Sequence, residues 1–274
     1  MNASRLRKIV ILLLICINLV LGGNLLYTNY RQTVIAKQTI DDTVAFLDQC
    51  GIWMESDLIS RRIHNLPVLS AQRNPEQESS IAGILIGTKE RVDQGGGISR
   101  YESEQGTAVF RRGGLVNLTI QHQTMPETGS DAEKTARSLL KKAGILPESA
   151  GVVIEDGNGI VVRFVAERNG CRLQNAALEV AFRSGEVQIS GCFLVNTATA
   201  TDQLMRRIPT LLADFGAYVV TYHLDISLIV SIETAYFHTV NDDGSAELLP
   251  VLMIRTDNGT FLLNGLDGTL LSNG

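Results

Sequence analysis

Residues 177–195 read ALEVAFRSGEVQISGCFLV and contain two apolar stretches on either side of Ser184-Gly185. The stretches Ala177–Phe182 and Val187–Val195 are rich in residues typical of strands. A two-residue Ser-Gly connection between such stretches is typical of a β-hairpin. Strands joined by so tight a turn pair antiparallel. The sequence therefore predicts an antiparallel sheet around this hairpin.

The same pattern of apolar strands and polar turns recurs on both sides of the hairpin. Turn residues such as Asp, Asn and Gly separate the stretches at residues 156–159, 242–244 and 257–259. The further strands predicted in this way are Thr107–Arg111, Leu115–Gln121, Val152–Glu155, Ile160–Val165, Leu228–Phe237, Glu247–Arg255 and Thr260–Leu263.

Helical patterns precede three of these strand sets. Ile40, Val44 and Leu47 follow the helical spacing, with Gly51 as a stop signal, and this helix can continue from the N-terminal apolar run. Ser130 and Glu133 form a capping box for a second helix. A third helix is predicted over Thr201–Tyr218, where Pro209 breaks or kinks it.

The order of these elements predicts an α+β fold in which helix-plus-antiparallel-strand units repeat from about residues 33, 130 and 201. We expect helices to lie on one face of the antiparallel sheets, and residues 65–80 to form a loop. The predicted domains are an N-terminal stub and anchor at residues 1–30, a first α+β unit at 31–125 and a C-terminal α+β domain at 126–274.

The N-terminal run has the features of a membrane anchor. No charged residue occurs between Ile9 and Tyr30, and the 18 residues Ile9–Leu26 would form a helix of about 27 Å. Basic residues precede the run and favour a cytoplasmic N-terminus. A cleaved signal peptide is the alternative, but Val20-Leu21-Gly22 matches a cleavage site poorly. We predict an uncleaved single-pass signal-anchor in the cell membrane, with an extracytoplasmic domain after it.

Two asparagines interrupt this apolar run. Asn18 and Asn24 are the candidate residues for contact with another membrane helix, because a polar side chain can hydrogen-bond across such an interface. The alternative for Asn18 is a hydrogen bond to the backbone of its own helix.

Composition argues against several function classes. The chain carries 24 basic and 29 acidic side chains and a net charge of −5, so it has no electrostatic reason to bind nucleic acid. Cys50, Cys171 and Cys192 lack metal-type spacing; they are expected in the core, with a Cys171–Cys192 bridge as the alternative.

The chain contains no recognisable catalytic or cofactor motif. The four histidines do not occur in an HExxH arrangement, and the phosphate-binding and nucleophile-elbow patterns are absent. Asp41-Asp42 and Asp242-Asp243 lie at a helix start and in a turn, where acids serve structure. We therefore predict no catalytic residue, no cofactor, no metal site and no enzymatic activity.

Several stretches together resemble one protein family. They are Arg5–Tyr27, Ala45–Ile52 followed by Asn65-Leu66-Pro67, Ile229–Tyr236, Leu249–Ile254, Phe261–Asn264 and Asp267-Gly268. These stretches resemble the YycI-type regulatory proteins of Gram-positive bacteria, and the closing hairpin is similar to that of PepSY-like domains. The chain departs from the family after Pro250, where Val251 and Leu252 replace the usual aromatic residue.

The resemblance implies a single-pass protein whose extracytoplasmic domain associates with a YycH-like partner. The pair would modulate a sensor histidine kinase that controls cell-wall metabolism, and contact between membrane helices would contribute to the regulation. It carries over no catalytic residue. The alternative function is that of a PepSY-like envelope protein that inhibits a peptidase or binds a cell-wall ligand.

Overall fold

The computed structural model describes residues 3–59, 66–123, 126, 128–145, 149–193 and 198–273. In this part of the chain the α-helices are α1 (Ala3–Gln49), α2 (Pro75–Ile86), α3 (Gly129–Lys142) and α4 (Ile208–Tyr222), and short 3₁₀ helices occupy Ser56–Leu58 and Arg112–Gly114. The chain divides into two compact units. Unit 1 contains Met1–Ile63, Arg207–Ser231 and Thr256–Asn258, and unit 2 contains His64–Arg206, Ile232–Arg255 and Gly259–Gly274.

Fourteen strands are present in the described residues. They are β1 (Pro67–Ala71), β2 (Val92–Gly95), β3 (Ile98–Ser103), β4 (Gly106–Arg111), β5 (Leu115–Gln121), β6 (Gly151–Asp156), β7 (Gly159–Arg168), β8 (Cys171–Arg183), β9 (Glu186–Cys192), β10 (Thr199–Leu204), β11 (Ile229–Val240), β12 (Ala246–Thr256), β13 (Gly259–Asn264) and β14 (Leu270–Asn273).

Unit 1 is built on the packing of α4 against the C-terminal part of α1. Leu47 of α1 and Phe215 of α4 are fully buried. Gly216 allows the close approach of the two helices, since a Cβ atom there would lie 3.0 Å from Leu47 Cδ2 and 3.1 Å from Phe46 Cε1. Helix α1 ends as predicted, because Gly51 adopts the left-handed conformation at φ +81°.

Unit 2 is built on one connected sheet. The strand order is β10-β1-β12-β11-β8-β9-β5-β4-β3-β2, with β13 paired to β12 and β14, and β7 paired to β6 and β8. The hairpin predicted at Ser184-Gly185 is present as β8 and β9, which pair antiparallel from Leu178↔Gly191 to Arg183↔Glu186.

Helices α2 and α3 lie against strands of this sheet. Asn74 caps α2 by accepting from the backbone amides of Glu76 and Gln77, and Pro75 occupies the first turn. Helix α3 contacts β6 and β7. The guanidinium of Arg137 on α3 lies 5.3 Å from the ring centroid of Phe164 on β7, so the side of β7 that carries Phe164 faces α3.

The predicted fold class, an α+β fold of repeated helix-plus-antiparallel-strand units, is wrong. The described part of the chain is mainly β, and strands from all the expected units join into one fourteen-stranded sheet. Distant segments pair along their whole length, from Leu115↔Cys192 to Gln121↔Glu186, and β11 pairs with β8 in parallel. Turn residues indicate only which consecutive strands pair, because backbone hydrogen bonds between distant strands leave no local signature.

The predicted membrane span is also contradicted. Among the described residues, no helix is long and apolar enough to cross a membrane. This finding overturns the span Ile9–Leu26 and the single-pass localisation with a cytoplasmic N-terminus and an extracytoplasmic domain. The described residues of that run include Asn18, Gly22-Gly23 and Asn24, which interrupt its apolar part. The side chains of residues 3–16 lie outside the description.

The predicted domains 31–125 and 126–274 stay a prediction. The two compact units are each assembled from segments that are far apart in the chain. Residue 125, at the predicted boundary, lies outside the described residues.

Candidate functional site

A groove with a volume of about 650 Å³ crosses the sheet of unit 2. Its charged lining consists of Arg163 on β7, Arg172 and Glu179 on β8, Glu233 on β11 and Arg255 on β12. Val165, Leu173, Ala177 and Met253 supply its apolar lining. We call this feature the arginine groove.

The groove lies where β8 changes neighbours. Strand β7 pairs with one edge of β8 along most of its length. The other edge is shared, because β9 pairs with residues 178–183 and β11 pairs with β8 at Leu173↔Tyr236. Residues 174–177 of β8 therefore lie between the end of β9 and the start of the contact with β11.

Two residues shape this junction. The side-chain amide of Asn175 accepts from the backbone amide of His238 at 2.7 Å and donates to its carbonyl at 2.8 Å, so it takes the place of a strand partner for β11. Gly191 lets β9 approach β8 closely, since a Cβ there would lie 2.0 Å from the carbonyl oxygen of Ala177. The groove thus lies between strands whose positions are fixed by Asn175 on one side and by the close approach at Gly191 on the other.

The charged pair Arg163–Glu179 of the groove lies on the side of β7 that is turned away from α3. Side chains alternate along a strand, so Arg163 and Val165 project opposite to Phe164, which faces α3. The Nε of Arg163 donates to Oε1 of Glu179 at 2.7 Å, in a directly opposed cross-strand pair. This pair neutralises one arginine of the groove.

Two charged side chains of the groove, one basic and one acidic, have no ion-pair partner among the described residues. Arg255 and Glu233 are exposed, and neither forms an ion pair or a side-chain hydrogen bond within the described part of the chain. Arg172 reaches Glu167 only at 3.7 Å, and its side chain is 71% exposed. Two arginines therefore remain available to an incoming carboxylate, and an arginine guanidinium binds a carboxylate through two parallel hydrogen bonds.

The residues predicted for contact with another helix lie elsewhere. Asn18 and Asn24 are both exposed on α1, and the carbonyl of Asn24 accepts from the hydroxyl of Thr28 at 2.8 Å. Six residues correspond to about 1.7 helical turns, so the two side chains do not share a face. Their role in a helix contact stays a prediction.

The remaining candidate residues of the sequence are the cysteines and the histidines. Cys50, Cys171 and Cys192 are free thiols, and the latter two are buried. In the described ranges, no group of three or more His, Cys, Asp or Glu side chains could hold a metal ion. His64 lies outside the described residues.

Sequence reasoning missed every charged residue of the arginine groove. Each of its arginines is a single charged residue between uncharged neighbours in a strand, which is the pattern of an ordinary solvent-exposed position. No spacing links residues 163, 172 and 255, because only the order of strands in the sheet brings them together.

Comparison with known proteins shows weak structural similarity and no match in sequence. No family model and no curated protein matches the chain. An uncharacterized protein from Eubacterium rectale is 11% identical, with a TM-score of 0.46 over 76% of this chain and 86% of that chain. The YpeB C-terminal domain of Bacillus megaterium is 12% identical, with a TM-score of 0.33 over 74% of this chain and 97% of that chain. The chain is thus a weak structural neighbour of a domain from a PepSY-containing family, and no match supports membership of the YycI family.

Proposed function

We propose that this chain is a regulatory binding protein of the YycI type, which modulates a sensor histidine kinase through protein–protein contact. The arginine groove is its docking site and is the observation that carries the proposal. The class of partner comes from the resemblance of the strand at residues 229–236 and of the closing hairpin to the YycI-type regulators.

The occupant that fits the groove is an extended segment with carboxylate side chains from a YycH-like partner. The lining carries three arginines against two glutamates, and the Arg163–Glu179 pair is already satisfied. Arg172 and Arg255 are left to receive acidic side chains, while the free carboxylate of Glu233 accepts from backbone or basic groups. Val165, Ala177 and Met253 offer apolar contact to the residues between them.

The position of the groove favours a segment rather than a compact small molecule. Its lining comes from β7, β8, β9, β11 and β12, so it extends across several strands. An extended peptide can contact such a surface with alternate side chains. Each solvent-exposed ion pair adds only about 0–1 kcal/mol, so a useful affinity requires several contacts along the segment.

Regulation follows when the complex binds one state of the kinase better than the other. A tenfold difference in affinity between the two states corresponds to about 1.4 kcal/mol and shifts their ratio tenfold. The groove therefore recruits the partner, and the differential contacts of the complex set the activity of the kinase.

The test uses the full chain, the YycH-like protein and the kinase from the same genome. Binding is measured by titration calorimetry, and kinase activity by autophosphorylation with and without the complex. Arg255→Glu places a like charge opposite the acidic segment, and we expect it to weaken binding at least tenfold and to remove the effect on autophosphorylation. Arg183→Glu is the matched control, because Arg183 is an exposed arginine of β8 outside the groove lining.

Equal affinities for the two variants would show that the groove is not the docking site. If neither the YycH-like protein nor the kinase bound the chain, the kinase proposal would be wrong. Inhibition of an envelope peptidase, or binding of a cell-wall fragment, would then support the PepSY-like alternative.

A further inference from the structure

Trp53 of unit 1 combines a fixed backbone with an exposed ring. Its backbone amide donates to the carbonyl of Ser227 at 2.8 Å, and its carbonyl accepts from the amide of Ile229 at 3.0 Å. Its neighbours Ile52 and Met54 are buried, whereas Trp53 itself is 56% exposed. An indole that is exposed to solvent on a fixed backbone is available for contact with a ligand.

Trp53 is one of the residues that line a pocket of about 480 Å³. One wall is a single face of α1, with Asp41, Val44, Ala45 and Asp48 at the i, i+3, i+4 and i+7 positions. The opposite wall is formed by residues 52–54 and Ser56, which follow the turn at Gly51. We call this feature the Trp53 pocket. It has an apolar floor and a carboxylate near each end of its helical wall.

The stretch of chain that lines the pocket is rich in acidic residues, and the nearest basic residue before it on α1 is Lys37. Residues 38–59 contain five acidic side chains and no lysine or arginine. The carboxylates of Asp41 and Asp48 are exposed, and neither forms an ion pair or hydrogen bond within the described part of the chain. They therefore repel an acidic ligand and attract a cationic one.

We propose that the Trp53 pocket binds lysine or arginine side chains of a basic segment from a partner protein. The cation lies over the indole face, which attracts it through the negative electrostatic potential of the ring face. The apolar floor receives the methylene stem of the side chain, as long basic side chains pack their stems on apolar surfaces. Seven residues span about 10.5 Å along α1, so Asp41 and Asp48 can meet two basic residues of one segment.

This surface lies beyond the proposed function. The arginine groove belongs to unit 2 and selects carboxylates, whereas the Trp53 pocket belongs to unit 1 and selects cations. The two surfaces recognise opposite charges, so one peptide does not satisfy both.

The chain allows a direct test, because Trp53 is its only tryptophan. The probe is a dye-labelled peptide that contains four arginines spaced by alanines, and its counterpart carries glutamates instead. We expect the arginine peptide to bind the full chain saturably, to change the Trp53 fluorescence and to bind more weakly as salt is raised. The glutamate peptide should not bind.

Variants separate the contributions of charge and ring. Asp41→Asn with Asp48→Asn, and Trp53→Leu alone, should each weaken binding of the labelled peptide at least tenfold, as followed by fluorescence anisotropy. Glu104→Gln is the control, because Glu104 is an exposed acid in the turn between β3 and β4 of unit 2. Circular dichroism confirms that each variant is folded.

Two results would overturn the proposal. Unchanged affinity of the Asp41/Asp48 double variant would show that the pocket does not select cations. Affinity that depends on Trp53 but not on salt would identify an apolar occupant, such as a second copy of the chain. The Arg255→Glu variant should bind the arginine peptide normally, so failure of one proposal is distinguishable from failure of the other.

Discussion

The guanidinium of Arg73 forms a two-point ion pair with the fully buried carboxylate of Glu78. Its Nε donates to Oε1 at 2.7 Å and its Nη2 donates to Oε2 at 2.8 Å. The same guanidinium donates to the carbonyl of Gly97 and, at 3.3 Å, to the hydroxyl of Ser99. The pair therefore ties the start of α2 to the turn between β2 and β3.

Loss of this arginine should destabilise unit 2 strongly. Arg73→Met leaves the Glu78 carboxylate buried without a counter-charge, so we expect the free energy of unfolding to fall by about 3–5 kcal/mol. Urea denaturation followed by circular dichroism measures this change.

The control for that variant is Arg91→Met. Arg91 pairs with Asp93 at 3.1 Å, but their side chains are 39% and 63% exposed. Because water screens such a pair, its loss should cost about 0–1 kcal/mol. Similar losses for the two variants would contradict the special role of the buried pair.

The two buried tyrosines of unit 2 should respond differently to removal of the hydroxyl. Tyr236 donates to the carbonyl of Pro67 at 3.0 Å and accepts from the side-chain amide of Asn169 at 3.3 Å. Tyr101 is fully buried, and its hydroxyl has no hydrogen-bond partner among the described residues. Burial raises the pKa of both phenols, so both stay protonated at neutral pH.

We therefore expect Tyr236→Phe to lower the free energy of unfolding by about 1–2 kcal/mol, because it leaves the partly buried carbonyl of Pro67 without its donor. Tyr101→Phe should be neutral or stabilising, since it removes an unsatisfied polar group. Thermal denaturation of the two variants side by side measures the difference. A larger loss for Tyr101→Phe would show that its hydroxyl has an unrecognised partner.

Gly191 should tolerate a methyl group poorly. An added Cβ would lie 2.0 Å from the carbonyl oxygen of Ala177, so β9 would have to move away from β8. We expect Gly191→Ala to cost about 1–3 kcal/mol of stability from overpacking, beyond any backbone strain. It should also weaken partner binding at the arginine groove, which calorimetry would measure.

Gly185→Ala is the matched control for this effect. Gly185 has φ +81° in the turn of the same hairpin, and a Cβ there would meet open space. Alanine at this position should cost only the left-handed strain of about 1–2 kcal/mol and should leave groove binding unchanged. If Gly185→Ala were the more harmful change, the close approach at Gly191 would not be important.

The stability of unit 1 should fall in acid partly through Asp257. The hydroxyl of Ser227 donates to its carboxylate at 2.5 Å and holds its pKa below the usual value. The stabilisation is fully present above the carboxyl pKa of the unfolded chain and is lost as pH falls through the lowered folded pKa.

Asp257→Asn should therefore reduce stability at neutral pH and flatten the acid limb of a plot of stability against pH. Denaturation between neutral pH and about pH 2 measures both effects. The control is Asp202→Asn, because Asp202 is exposed on β10 and its carboxylate has no hydrogen-bond partner in the described part of the chain. An acid limb of unchanged slope in Asp257→Asn would contradict this role.

Predictions based on residues that are adjacent in the sequence were more accurate than predictions about how distant segments pair. The turns at Ser184-Gly185 and at residues 157–158 are present, and the strands around them differ from the predicted bounds at their ends. The position of Pro209 within its helix was predicted incorrectly. Pro209 lies in the first turn of α4 rather than inside a helix over Thr201–Tyr218, whose N-terminal part is instead β10.

The starts of α2 and α3 were also predicted incorrectly, because polar residues at both places fit a loop as well as a helix cap. Residues 65–80 were expected as a loop, but β1 and the start of α2 occupy much of this range. The cap of α3 is Thr128, whose hydroxyl accepts from the amide of Asp131, rather than Ser130. Polar residues and prolines suit both loops and helix starts, so their presence alone does not distinguish the two.

The amino-acid sequence alone established the hairpin turns, the glycine that ends α1 and the lack of a recognisable catalytic motif, because each of these depends on residues that are close together in the chain. Only the folded chain showed that Arg163, Arg172 and Arg255 line one groove, and that Trp53 lies beside Asp41 and Asp48. The physical reason is that strand order rests on backbone hydrogen bonds, which are the same for every residue except proline, so distant neighbours cannot be recognised from their side chains.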